Sequence, residues 1–375
     1  MNSKIKFLAY YLPQYHQIPE NDEWWGEGFT EWTNVKKAKP LFKGHQQPIV
    51  PGELGYYDLL KTEGIQEKQA ALAKEYGIDG FIYYQYWFGG GKMLLEKPAE
   101  KMLGNTNVDI PFCFCWANET WSGIWHGAAD KILIEQTYPG EKDYIDYFNY
   151  LLPFFQDERY IKVNNMPMFH IYRLDHIPDS DLFVELFNKL AQQNGFSGVY
   201  FVSTINNNSQ RILDNRKIYG VVGIETFREL RYAKIHRFKE KTFLHRVERK
   251  IKYHLGYYNV VGERAKPLII DYLNGLKKLT VEIPHRKYIP CVIPNWDNSA
   301  RSGKKSLVLK NSSPDAFYDY FSMVMVQFNK HRSNPPFVVL KSWNEWAEGN
   351  YLEPDQRNGI NWLQTVAKIK HDFKV

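Results

Sequence analysis

Cysteine is scarce in this 375-residue chain, which holds three: Cys113, Cys115 and Cys291. Cys113 and Cys115 alternate through an apolar run with the side-chain period of a strand, so a structural disulfide between them is disfavoured and a reducing cytoplasm is the expected setting. A CxC pair without His or Cys neighbours argues for buried free thiols rather than zinc, and no metal is expected. Long apolar runs are missing too. No stretch reaches the roughly 18 residues of a membrane span, and the opening KIKFLAYYLPQYH, short and interrupted by proline, reads as a first strand rather than a signal peptide. Phosphate-cradling motifs are also lacking. The glycines at 89–91 fit neither GxGxxG nor GxxxxGK[ST] and read as a flexible loop, so no cofactor is expected. Basic residues are not interleaved with a nucleic-acid-reading motif, which speaks against an RNA or DNA partner.

Aromatic residues are abundant, with 11 Trp, 26 Tyr and 23 Phe. Part of this set must pack the core, yet several members cluster with acids and amides, the mixture that holds sugars. The formal charge of +6 is moderate. Its basic residues concentrate between Arg228 and Lys287, a patch suited to water, a polyanionic glycan or peripheral contact with an anionic membrane.

The chain repeats a strand-then-helix pattern. Strands are expected at 5–11, 80–84, 110–115, 166–171, 198–203, 221–224, 288–293 and 337–340. Helices are expected at 62–76, with Gly77 as C-cap, then at 94–103, 143–155, 180–193, near Gln210, at 314–329 and 360–370. Residues 12–51 read as a long irregular excursion, and about 227–287 as a basic, mainly helical insertion. Eight buried-type strands alternating with helices predict an α/β fold, a single (β/α)8 barrel spanning 1–375.

A barrel places its chemistry at the carboxyl ends of the strands, and polar and aromatic residues crowd those positions here. The eighth strand runs into KSWNEWAEGNYLEPD, where Glu345 and Glu348 stand among indoles. A helical turn would set the two carboxylates on one side, within ~5 to 6 Å at Cβ. Apolar surroundings can keep one acid protonated while its neighbour stays ionised, as glycosidic chemistry requires. The alternative is a pair of solvated acids at a helix start, with the tryptophans in the core.

Three blocks, YYLPQYHQIPENDEWWGEGFTEWTNV, FCFCWANETW and KSWNEWAEGNYLEPD, resemble the WbsX-like proteins of polysaccharide and O-antigen loci and their relatives in glycoside hydrolase family 99. The resemblance covers nearly the whole chain. Family 99 enzymes are (β/α)8 retaining endo-α-mannosidases whose acids are the two glutamates of an NEW-x-EG motif. Carried onto this chain, it implies that Glu345 acts as base on a sugar 2-hydroxyl, which attacks its own anomeric carbon to give a 1,2-anhydro intermediate. Glu348 then protonates the departing oxygen and activates water. The long WWGEGFTEW block and WANETW depart from the endo-mannosidases, which leaves the mannoside open.

Glu348 is thus the expected general acid/base, its pKa raised by Trp346 or another ring, and Glu345 the ionised partner. Glu119, after the third strand, competes for proton transfer or nucleophilic attack, or binds sugar hydroxyls. Tyr11, Gln14, Tyr15 and His16 are expected to line the deepest subsite. Glu27 and Glu31 would cap it from the first loop, while Tyr86, Trp87, Trp121 and Trp296 offer stacking surfaces, with Trp116 and Trp346 as further substrate-binding candidates. Asn118, Asn295 and Asn344 offer amides, with Asp297 and Glu225 as further polar candidates. The expected activity is a retaining glycoside hydrolase acting on an oligosaccharide or polysaccharide. The alternatives are a WbsX-type glycosyltransferase, the label the family has commonly carried, and a non-catalytic glycan-binding barrel. No DxD metal-nucleotide element stands in a suitable site for the transferase.

Overall fold

The computed structural model describes residues 4–123, 132–204, 215, 217–223, 267–277, 286–330 and 335–375. The helix expected near Gln210, the candidate Glu225 and most of the basic insertion lie outside them.

Eight parallel strands form the barrel: β1 (Lys6–Tyr11), β2 (Gly80–Trp87), β3 (Phe112–Trp116), β4 (Met166–Ile171), β5 (Tyr200–Thr204), β6 (Ile218–Val222), β7 (Tyr288–Ile289 and Cys291–Val292) and β8 (Phe337–Leu340). Pairing runs in chain order from β1 to β6. The circle closes because β7 is shared by two neighbours. Its first half pairs with β6, Val221 opposite Tyr288, and its second half pairs with β8, Cys291 opposite Val339. Pro290 divides the halves, since it has no N–H to give the ladder. Its carbonyl still accepts from Val339 N at 2.8 Å. β8 then meets β1, with Lys6 opposite Phe337.

The strands are buried on both faces, as parallel barrels require. β2 and β3 have no exposed residue, so GFIYYQYW and FCFCW are apolar nearly throughout. Cys113, Cys115 and Cys291 are buried free thiols, and burial pushes the Cys113 thiol well above its ordinary range. Helices Ile65–Glu75, Lys97–Leu103, Glu141–Gln156, Ser180–Gln193, Pro314–Lys330 and Asn361–Phe373 cover the outside. Tyr76 ends the first of these and Gly77 follows at φ 85°. The Gly77 and Ile78 amides return to Lys74 O and Ala73 O at 3.1 and 2.9 Å, the paired bonds of a Schellman stop.

Three expectations are adjusted. The irregular excursion contains helices Pro19–Trp25 and Glu31–Lys37. β6 starts three residues earlier than expected, because IYGVVGI is apolar throughout and only its register against β5 and β7 sets the boundary. The described end of the insertion is a strand, Leu268–Asp271, and a helix, Tyr272–Lys277; the strand pairs in parallel with Leu307–Lys310 outside the barrel. No helix among the described residues is long and apolar enough to cross a membrane.

Candidate active site

The chain leaves β8 at Lys341, forms a two-residue antiparallel pair (Asn344–Glu345 with Asn350–Tyr351), and makes one 3-10 turn, Trp346–Glu348. Side chains three residues apart eclipse in such a turn. Glu345 and Glu348 accordingly meet side by side and share a hydrogen bond.

Gly349 ends the turn at φ 52°, and a Cβ there would stand 2.8 Å from Asp297 O. Left-handed backbone of this kind strains other residues by about 1–3 kcal/mol. Gly349→Val is therefore expected to lose at least that much, read as a lower urea midpoint with an unchanged slope.

Two cations hold the acids. Lys341 Nζ lies 3.0 and 3.1 Å from the Glu345 oxygens and 3.8 Å from Glu348 Oε2. Arg301 donates to Glu348 Oε1 at 2.9 Å and, through its other nitrogen, to Glu31 Oε1. Burial pushes the Glu348 carboxyl up, and the negative charge of Glu345 pushes it further, to about 8, against the pull of Arg301 and Lys341. Burial also works to raise Glu345, but the Lys341 charge, the bond with Glu348 and the Arg301 charge more than offset it and hold that carboxyl low. The two carboxyls are thus driven apart, Glu348 holding a proton more readily than Glu345.

Both acids open into a cavity of about 710 Å³ at the carboxyl ends of the strands. Of the residues anticipated from the sequence, Glu345, Glu348, Glu119, Gln14, Glu31, Tyr86, Trp121 and Trp296 line it. Glu119 accepts from Arg173 Nε at 2.9 Å and is about half exposed. Trp121 meets Tyr86 edge-on, with ring centroids 5.1 Å apart.

The other anticipated residues, among those described, do not line this cavity. Asn344 exchanges hydrogen bonds with the Leu12 backbone at 2.7 and 3.1 Å. Tyr15 donates from its hydroxyl to Asn344 O and accepts from Trp346 N. Trp346 stacks on Tyr351 at 4.1 Å and donates to Glu353 at 2.6 Å, so the ring expected to shield Glu348 packs beneath the turn instead. Tyr11 donates to Gln69, and Gln69 donates to Glu353. His16 is buried against Pro13 O. Trp87 stacks on Tyr147 and donates to Asp143, and Trp116 donates to Trp87 O. Asn118 is closed on the Arg173 backbone at 2.8 Å in both directions. Glu27 is exposed on the first loop. Asn295 bonds the Tyr351 backbone, and with Trp296 and Asp297 it borders a second cavity of about 300 Å³. His45 and Gln47 lie 2.7 and 2.8 Å from Asp297 Oδ2.

Sequence reasoning misses Lys341, Arg301 and Glu353, and places Tyr84, Tyr172 and Arg173 at strand ends without giving them a role; all but Glu353 line the cavity. Lys341 carried a signal, four residues before Glu345, whereas Arg301 had none within its own stretch. Among the described residues no three His, Cys, Asp or Glu side chains are grouped to hold a metal ion.

Solved structures share this architecture. The family 99 endo-α-mannosidase of Bacteroides thetaiotaomicron superposes with a TM-score of 0.56 at 14% identity, over 98% of this chain and 97% of that one. A glycoside hydrolase-like protein gives 0.57 at 12% identity, over 100% and 95%. At such identities the likeness is one of fold. Two sequences called uncharacterized protein WxcX, from two strains of Xanthomonas campestris pv. campestris, are each 32% identical over 366 residues, 96% of this chain and 48% of theirs. The chain spans about half the length of these curated relatives. Its residues 7–366 match the family described as glycosyltransferase WbsX, and at that coverage the chain belongs to the WbsX family.

Proposed function

We propose that this chain is a glycoside hydrolase acting on a bacterial polysaccharide or mannan-like glycan by carboxyl acid/base catalysis. The observation that carries the reading is the acid pair itself: two carboxyls in one buried turn, held by Lys341 and Arg301, with Glu345 held low and Glu348 pushed up. Neighbouring titratable groups driven apart in this way supply an acid and a base at one pH. Glu348 gives its proton to the glycosidic oxygen as the bond to the anomeric carbon breaks. Ionised Glu345 takes the proton of the 2-hydroxyl as that oxygen closes on the same carbon. Water then opens the 1,2-anhydro ring, passing a proton to Glu348, while the 2-oxygen recovers its own from Glu345.

The spacing supports this one-sided route. Ordinary retaining glycosidases hold their carboxyls ~5 to 5.5 Å apart across the anomeric centre, whereas Glu345 and Glu348 touch. Tyr84, Tyr86, Trp121 and Trp296 supply the flat apolar wall that a sugar ring packs against.

The family's glycosyltransferase description favours a second reading, in which a sugar hydroxyl rather than water opens the intermediate. Incubation with O-antigen, capsule and mannan preparations, with products read by mass spectrometry, separates the two. Hydrolysis releases new reducing ends, and transfer lengthens an acceptor. Transfer that requires a sugar nucleotide would refute the hydrolase, and binding without turnover would leave a glycan-binding barrel.

A further inference from the structure

We infer that Arg301, tethered by Glu31, is a positioning residue that confines the proton of Glu348 to Oε2 and sets how firmly it is held; this rests on the acid/base reading above. Three separate segments meet at this guanidinium. Arg301 comes from the short helix Ser299–Ser302 after β7, Glu31 begins helix Glu31–Lys37 in the first loop, and Glu348 ends the turn after β8. One guanidinium nitrogen donates to Glu348 Oε1 at 2.9 Å, and the other donates to Glu31. Glu31 is buried, with 2% of its side chain exposed, and Arg301 keeps 19%.

The consequence follows from donor and acceptor counting. Of the two oxygens of a protonated carboxyl the carbonyl oxygen is the better acceptor, so an arginine N–H on one oxygen favours the proton on the other. Oε1 is therefore an acceptor, and the proton belongs to Oε2. A carboxyl fixed in this way offers its proton in one direction, which a mobile side chain does not.

Glu31 governs strength. The groups facing Glu348 are Glu345 and Lys341 from the end of β8, Arg301, and Tyr172 beyond β4, with Glu31 behind Arg301. Arg301 alone would favour the ionised acid, and Glu31 draws off part of that charge. Removing each member consequently acts in opposite directions. Arg301→Gln strips away a cation and should raise the midpoint at which Glu348 loses its proton, whereas Glu31→Gln frees the cation and should lower it, each by about 1 pH unit.

The test is a pH titration of the full chain carrying 13C-labelled glutamate carboxyls, with Glu348→Gln identifying the resonance. Opposed shifts, with Arg301→Lys close to the wild-type midpoint because charge is kept, support the inference. A packing role would lower melting temperature without this opposition, so shifts of the same sign, or none, overturn it. Should Arg301→Gln fail to fold, a lowered midpoint in Glu31→Gln with Arg301→Lys near wild type supports the inference, and an unshifted or raised midpoint in Glu31→Gln overturns it. A wild-type Glu348 already deprotonated near pH 6 would sink the acid/base reading together with this one. A retained proton without opposed shifts would sink this inference alone.

Discussion

Glutamine at position 348 is expected to reduce turnover by about 10²- to 10⁴-fold, the range that a positioned proton donor contributes. On the proposed reading the buried carboxyl is protonated and uncharged at neutral pH, so the amide replaces it in shape and charge and removes only the transferable proton. Stability gives the control. The folded-state pKa of Glu348, about 8, lies above its unfolded value, so its favourable contribution to folding is complete below the unfolded pKa and is lost as pH rises through about 8. Glu348→Gln should therefore melt no lower than wild type at pH 9 while remaining inactive. Wild-type activity should fall above about pH 8 as the proton leaves. Glu345→Gln should also inactivate, and it removes the charge that holds the Glu348 proton, so the alkaline limb of any residual activity should move to lower pH. Because the two carboxyls titrate together, both midpoints belong to the pair. Activity in Glu348→Gln within tenfold of wild type would remove this residue from the chemistry.

The largest loss of stability is expected at Glu353, which is fully buried beneath the acid turn. Its carboxylate accepts from Tyr57 Oη at 3.0 and 3.2 Å, Gln69 Nε2 at 2.7 Å and Trp346 Nε1 at 2.6 Å. Burial pushes the carboxyl up to about 7, and these donors oppose the rise. Leucine in its place leaves three buried donor groups without an acceptor, at about 1–3 kcal/mol each. Glu353→Leu is expected to unfold at least about 3 kcal/mol more easily, with a lower urea midpoint. Glu353→Gln keeps an acceptor oxygen but turns its own N–H groups toward other donors, and should fall between. A leucine variant as stable as wild type would show that the network is not what holds the turn.

The acid pair was legible because it is local: one strand, one turn, and two glutamates three residues apart. The eight-strand count was legible for a related reason, since each strand is a short apolar run before a turn. What surrounds the acids was not. Arg301 reaches Glu348 across 47 residues and Glu31 across 270, and no local pattern records such a meeting. The aromatic residues failed differently. Strands buried on both faces lose the alternation that marks an inner side, so nothing in YYQYW told Tyr84 and Tyr86, which line the cavity, from Trp87, which packs outward on Tyr147. The amides Asn118 and Asn344 had the composition of ligand-binding groups, yet spend their hydrogen bonds on backbone and on the Tyr138 and Tyr57 hydroxyls. Charge pairing and inner-face parity are both set by register, and register exists only once the barrel has closed.

The network around Glu353 divides labour within the molecule. The acids hang from a buried frame made by β8, Tyr15, Tyr57 and Gln69, whereas Trp25 and Phe29 of the first loop and Trp121 after β3 line the cavity without joining that frame. Under the proposed function, substitutions at Trp25, Phe29 and Trp121 would alter which sugar fits while leaving that frame in place.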